Sequence, residues 1–213
     1  MPLSSVLGAS TLIKPGVVTS STRPAVPYEG QLIYETDTDR IAAYNGSAWV
    51  TQNGLQLIKT QTIGTAVSSV TVSDVFSATY DNYLITISGG VASGNVDLKL
   101  TLGSTATGYY YALVYATYNS ASAAAVVAQN TTSWAYTGSG SSDTLSFHVN
   151  VDNPFAAKRT VARAVLAQPY TTGAGGGFGG YLADNSSYTG FTITTSSGTM
   201  TGGTIRVYGY ANN

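Results

Sequence analysis

The segment Val96-Asp97-Leu98-Lys99-Leu100-Thr101-Leu102 alternates strictly between apolar and polar residues. A period of two puts Val96, Leu98, Leu100 and Leu102 on one side of an extended chain. Asp97, Lys99 and Thr101 fall on the other, the pattern of a half-buried strand and of no helix. Leu55–Ile63, Val67–Phe76, Tyr83–Ser88, Tyr109–Tyr118, Ser133–Tyr136, Thr144–Val151, Thr160–Leu166, Phe191–Thr195 and Thr204–Tyr210 also read as strands, parted by Gly, Ser and Asn clusters. Roughly ten strands with short turns predict an all-β fold, an antiparallel β-sandwich of jelly-roll type over residues 55–213. Composition agrees. The chain has 24 Gly and 16 Tyr, with abundant Thr and Val, and strong helix formers are scarce. Ala121–Ala128 is the best helical stretch, yet Ser122, Val126 and Val127 make it equally a loop or a strand.

The first residues follow another logic. Four of the 6 prolines are Pro2, Pro15, Pro24 and Pro27, and proline holds itself and its predecessor extended. Residues 1–27 therefore read as an extended N-terminal arm. Residues 28–54 read as a small three-stranded meander. Its strands are Gln31–Glu35, Arg40–Tyr44 and Ser47–Val50, the last two joined through the hairpin signal Asn45-Gly46. Such a meander buries too little to stand alone, and Trp49 and the nearby tyrosines are its expected anchors.

Charge narrows the function. Only 9% of residues are charged, against about 25% in an ordinary globular protein. The net charge is −1, which argues against an electrostatic nucleic-acid binder and a polybasic membrane-surface protein. Cysteine is absent, so no disulfide, thiolate nucleophile or cysteine-ligated metal is available. No apolar run of about 18 residues predicts a membrane-spanning helix. Met1–Gly8 lacks the basic and apolar regions of a secretory leader.

Motifs for catalysis are missing as well. The single histidine, His148, falls on the polar side of Leu145–Val151, without a nucleophile elbow to serve. Gly175, Gly177 and Gly180 formally spell a dinucleotide fingerprint, but a turn follows them where a helix is required. Glu35, Asp37 and Asp39 lack the glycine and terminal glutamate of a calcium loop. Asp81, Asp97, Asp143, Asp152 and Asp184 are scattered, and Lys158, Arg159 and Arg163 form the only basic cluster. The expectation is a protein without catalytic residues, cofactor or metal.

Two features are left for recognition. Tyr109, Tyr110, Tyr111, Tyr115 and Tyr118 place aromatic rings on both faces of one strand, suited to core packing, subunit contacts or a sugar. The stretch Tyr170–Tyr188 reads as a long glycine-rich loop around Gly173–Gly180. There Phe178, Tyr181 and Tyr188 offer ring faces, and Asp184 and Asn185 offer hydrogen bonds to a ligand.

Tyr28-Glu29-Gly30-Gln31-Leu32-Ile33-Tyr34-Glu35-Thr36-Asp37-Thr38-Asp39-Arg40, followed by Tyr44-Asn45-Gly46-Ser47-Ala48-Trp49, resembles a short module of tailed-bacteriophage virion proteins. Phe76–Tyr83, Asn153-Pro154-Phe155 and Thr199–Tyr210 are similar to the β-domains that follow it in such proteins. The resemblance implies a non-enzymatic structural protein on the virion surface, at the tail or the capsid, assembled in the host cytoplasm. A tail-fibre type that attaches by its N-terminus and meets a host-surface glycan or protein is one form. A capsid decoration or cement protein is the alternative. The low charge adds a further expectation, a homotrimer whose arm contacts other phage virion proteins.

Overall fold

The computed structural model describes residues 15–51, 54–120 and 122–211. The fold is all-β. Chain contacts divide it into two compact units, one ending at Asn53 and the other beginning at Gly54.

The first unit is a four-stranded mixed sheet in the order β1-β2-β3-β4, formed by Gly16–Val18, Leu32–Glu35, Arg40–Tyr44 and Trp49–Thr51. Strands β2 to β4 are the expected antiparallel meander, and Asn45-Gly46 turns the chain with Gly46 at φ 93°. Part of the extended arm joins this sheet. Its first 14 residues lie outside the described residues, but Gly16–Val18 pair parallel with Ile33–Glu35 as an additional strand. The cause is local. Ser20 donates its backbone N–H and its hydroxyl to Asp37, and Arg23 pairs with Glu35, so the segment after β1 is held to the β2–β3 turn. Ile33, Glu35 and Ala42 are buried on one face of the sheet. The opposite face carries Val17, Leu32, Ile41 and Val50, all exposed.

The second unit comprises β5 (Leu55–Thr62), β6 (Ser69–Val72), β7 (Asn82–Ser88), β8 (Val91–Ala92), β9 (Val96–Leu102), β10 (Tyr109–Thr117), β11 (Ala123–Thr131), β12 (Trp134–Gly140), β13 (Leu145–Asp152), β14 (Val161–Ala167), β15 (Ala174–Leu182), β16 (Phe191–Thr195), β17 (Met200–Thr201) and β18 (Thr204–Tyr210). One run of neighbours reads β5-β18-β7-β13-β14-β15-β10-β11, antiparallel throughout. A second branch leaves β13 as β12-β9-β16-β6. The fork lies inside β13: Phe147 is flanked by Gly138 and Ile87, whereas Val149 is flanked by Ala164 and Ile85. Strand β12 passes against β14, β15 and β10, so the branches stack as a β-sandwich.

The core follows the alternation read from sequence. Leu98, Leu100 and Leu102 of β9, Val149 and Val151 of β13, and Ile205 and Val207 of β18 are all buried. Trp134 is fully buried, edge-on to Tyr109 at 5.1 Å between ring centres. The Tyr109 hydroxyl accepts from the Leu102 N–H at 2.8 Å and donates to the Thr105 carbonyl at 3.2 Å. The expected strand Val67–Phe76 is shortened to β6 because Asp74 takes φ 57° and turns the chain. Of the ambiguous Ala121–Ala128 stretch, residue 121 is outside the described residues and the rest from Ala123 is strand.

Candidate functional site

The glycine-rich stretch expected as a mobile loop is a strand. Ala174–Leu182 is β15, hydrogen-bonded to β10 on one side and β14 on the other. Phe178 therefore points inward, 4% exposed, with its ring 5.6 Å from that of Tyr111. It is core and not a contact residue. Tyr181 lies on the outer face, stacked on Tyr110 at 5.0 Å, with the Arg159 guanidinium 5.3 Å from its ring. Tyr188 is 6% exposed; its hydroxyl donates to Asp184 Oδ2 and meets Thr105 Oγ1, each at 2.8 Å. The other oxygen of Asp184 accepts from the Ser186 N–H at 2.7 Å. The Ser186 side chain, followed by the Tyr188 hydroxyl and the Ser186 N–H, holds the Asp184 carboxyl below the usual carboxylate range. Only Asn185 of the five projects freely into solvent, so they do not converge on a common site.

The acidic turn in the first unit is equally committed. Glu35 pairs with Arg23 and accepts from Thr38, Asp37 binds Ser20, and Asp39 accepts from the Tyr34 hydroxyl at 2.6 Å. Each carboxylate has its own partner. Among the described residues no cluster of three metal-ligating side chains exists. His148 is exposed on β13, and Arg163 pairs with Asp152.

A concave site does form, between the inner side of β10, β11, β14 and β15 and strand β12. Its floor is Leu113, Leu166 and Ala174, and its walls are Tyr115, Thr117, Val126, Tyr136 and Gln168. The cavity measures about 240 Å³. Tyr136 reaches this wall through an unusual backbone, φ 60°, in the left-handed region that bulky residues avoid. It lies where the β12–β9 register shifts between Trp134 and Gly138, and such irregularities re-aim a side chain. Gln168 follows β14, and its Nε2 donates to Asp97 Oδ1 at 2.9 Å. Burial raises the Asp97 carboxyl, opposed by the Gln168 hydrogen bond and by Lys99.

Neither the Tyr115 nor the Tyr136 hydroxyl has a hydrogen-bond partner among the described residues, and neither is buried away from water. The Gln168 side-chain oxygen is also uncommitted. The site thus combines two phenols, an amide oxygen and an apolar floor, with no charged residue in the lining. Sequence reasoning flagged Tyr115 for its strand but missed Tyr136 and Gln168, which no local motif distinguishes. Compared with known protein families, curated proteins and solved structures, the chain matches none.

Proposed function

We propose that this chain is a non-enzymatic structural protein of a tailed-bacteriophage virion, of the tail-fibre type, attached through its N-terminal unit and presenting the sandwich to the host surface. The module at Tyr28–Trp49 suggests the virion. The observation that carries a structural role is the outer face of β14-β15-β10-β11. Cross-strand rows there read Ala125–Val114–Gly177–Val165, Val127–Ala112–Gly179–Arg163 and Ala123–Ala116–Gly175–Ala167. Val114, Val127 and Val165 are 59%, 68% and 69% exposed. From strand spacing and rise the three rows span roughly 15 by 13 Å between Cα atoms, an area of small side chains around three exposed valines.

Strand β11 ends this face with a free edge, Ala-Ala-Ala-Val-Val-Ala-Gln-Asn-Thr, that carries no charge or proline. Monomeric proteins guard such edges. A second copy of the chain, with the same face of small residues whose one charge in these rows, Arg163, is paired with Asp152, is the occupant that fits, in a homotrimer. The first unit's exposed Val17, Leu32, Ile41 and Val50 provide a separate apolar face for other virion proteins.

The test is quantitative mass spectrometry of purified particles, with the copy number set against the major capsid protein. A low count at the tail is expected. A count comparable to the capsid subunits assigns the decoration role, and absence from particles overturns the virion reading.

A further inference from the structure

We propose that the cleft walled by Tyr115, Tyr136 and Gln168 binds a single neutral sugar ring.

The size of the cavity admits one ring rather than an oligosaccharide. Its chemistry selects the class. A sugar presents C–H faces and hydroxyls in alternation, and aromatic rings cover the former while phenols and amides serve the latter. Tyr115 and Tyr136 bring both in one side chain, and both hydroxyls lack a partner in the protein. Gln168 is oriented by its bond to Asp97, leaving its oxygen as an acceptor of fixed direction. The floor of Leu113, Leu166 and Ala174 accommodates the less polar side of the ring. Charge excludes the alternatives. No cation lines the cavity, and the Asp97 carboxylate is hydrogen-bonded to the lining residue Gln168, so a phosphate or an acidic sugar would meet repulsion without compensation.

The backbone supplies an independent indication. Tyr136 keeps a left-handed conformation that costs on the order of 1–3 kcal/mol for a non-glycine residue. Glycine would fill the position without strain; the ring that occupies it is half-buried, packed at the edge of the core with Tyr111 edge-on at 6.3 Å between ring centres. The strained backbone thus holds an aromatic ring that serves both the edge of the core and the cavity wall. The site deepens the virion reading, on which it rests only for the source of the sugar, a terminal residue of a host-surface glycan.

Saturation-transfer NMR on the full-length protein, with D-glucose, D-galactose, D-mannose and N-acetylglucosamine as probes and D-glucuronate as the acidic control, tests the proposal. At least one neutral sugar should bind in the millimolar range, and glucuronate should not. Tyr136→Gly should weaken binding about tenfold, the loss of one ring contact. Its melting temperature should fall only slightly, because relief of the left-handed backbone offsets the lost contact with Tyr111. Tyr115→Phe removes one hydroxyl and should weaken binding roughly threefold or more. Failure of all four neutral sugars, equal binding of glucuronate, or undiminished binding by both variants overturns the inference. Sugar binding by a protein missing from particles would refute the virion reading and leave the cleft standing. Particle incorporation without sugar binding would do the reverse.

Discussion

Gly180 of β15 lies directly over the indole of Trp134: a Cβ at this glycine would stand 2.9 Å from Trp134 Nε1 and 2.7 Å from the Tyr110 carbonyl oxygen. Neither neighbour can yield, one being main chain and the other a fully buried ring. Gly180→Ala should therefore destabilise the sandwich by about 1–3 kcal/mol, the range for overpacked cores. Gly94 is the control. It has open space where a Cβ would go and no left-handed backbone, so Gly94→Ala should be neutral or stabilise by up to about 1 kcal/mol. Chemical denaturation of both variants checks the order, and equal effects would contradict the packing argument.

The same glycine shows what sequence reasoning reads and what escapes it. Val96–Leu102 is legible because its side chains record which face is buried, and the structure keeps that alternation. Gly173–Gly180 carries almost no side chains, so a strand there leaves no periodic trace and resembles a linker. What makes it a strand is distant in sequence: β10 and β14 on its edges and Trp134 beneath. Strand β11, rich in alanine, was ambiguous for a related reason. The cleft escapes detection because Tyr115, Tyr136 and Gln168 come from three separate segments, and a positive φ at a tyrosine has no sequence signal. Phe178 and Tyr188 read as ligand contacts from their rings alone, but both are buried, because aromatic size does not say whether a ring faces core or solvent.

Tyr109 should control the alkaline limit of the sandwich. Burial pushes its hydroxyl up to about 12, opposed by the Leu102 N–H that it accepts. A folded pKa above the unfolded value of about 10 means that the stabilisation is complete below pH 10. It is lost progressively as pH rises towards 12, because the unfolded chain ionises first. Tyr109→Phe should flatten stability between these pH values. It should also cost about 1–3 kcal/mol at neutral pH by orphaning the Leu102 N–H. Denaturant titrations at graded pH measure both, and an unchanged alkaline slope would contradict the assignment.

In the first unit, Arg23 should set the acid limit. Its hydrogen bond is the largest influence holding the buried Glu35 carboxyl below its ordinary range. A lowered folded pKa stabilises the unit above the ordinary glutamate range near 4.3 and loses that contribution as pH falls below it. Arg23→Ala leaves Glu35 charged and without its cation. Because the arginine is itself 36% exposed, a cost of about 1–2 kcal/mol is expected, less than for a fully buried pair. Hydrogen exchange of the Ile33–Glu35 amides at pH 7 and pH 3.5 reports on it. In the variant, protection should fall at pH 7, and the gap from the wild type should narrow at pH 3.5.

Val165 offers the sharpest test of assembly. It stands in the row Ala125–Val114–Gly177–Val165, beside a glycine that has no side chain to screen it, and its own side chain is 69% exposed. A surface substitution of this kind normally changes stability by no more than about 0.5 kcal/mol. Val165→Lys should thus melt as the wild type does when both are compared as monomers in dilute solution. At a self-associating face, however, the new ammonium would have to shed water against valine, alanine and glycine, with no carboxylate in the facing rows to receive it. Light scattering at micromolar concentration should find the wild type as a trimer and Val165→Lys as a folded monomer. Tyr80→Phe, outside this face, should leave the trimer intact. A wild-type monomer, or a variant trimer of undiminished strength, would move the interface away from β14-β15-β10-β11.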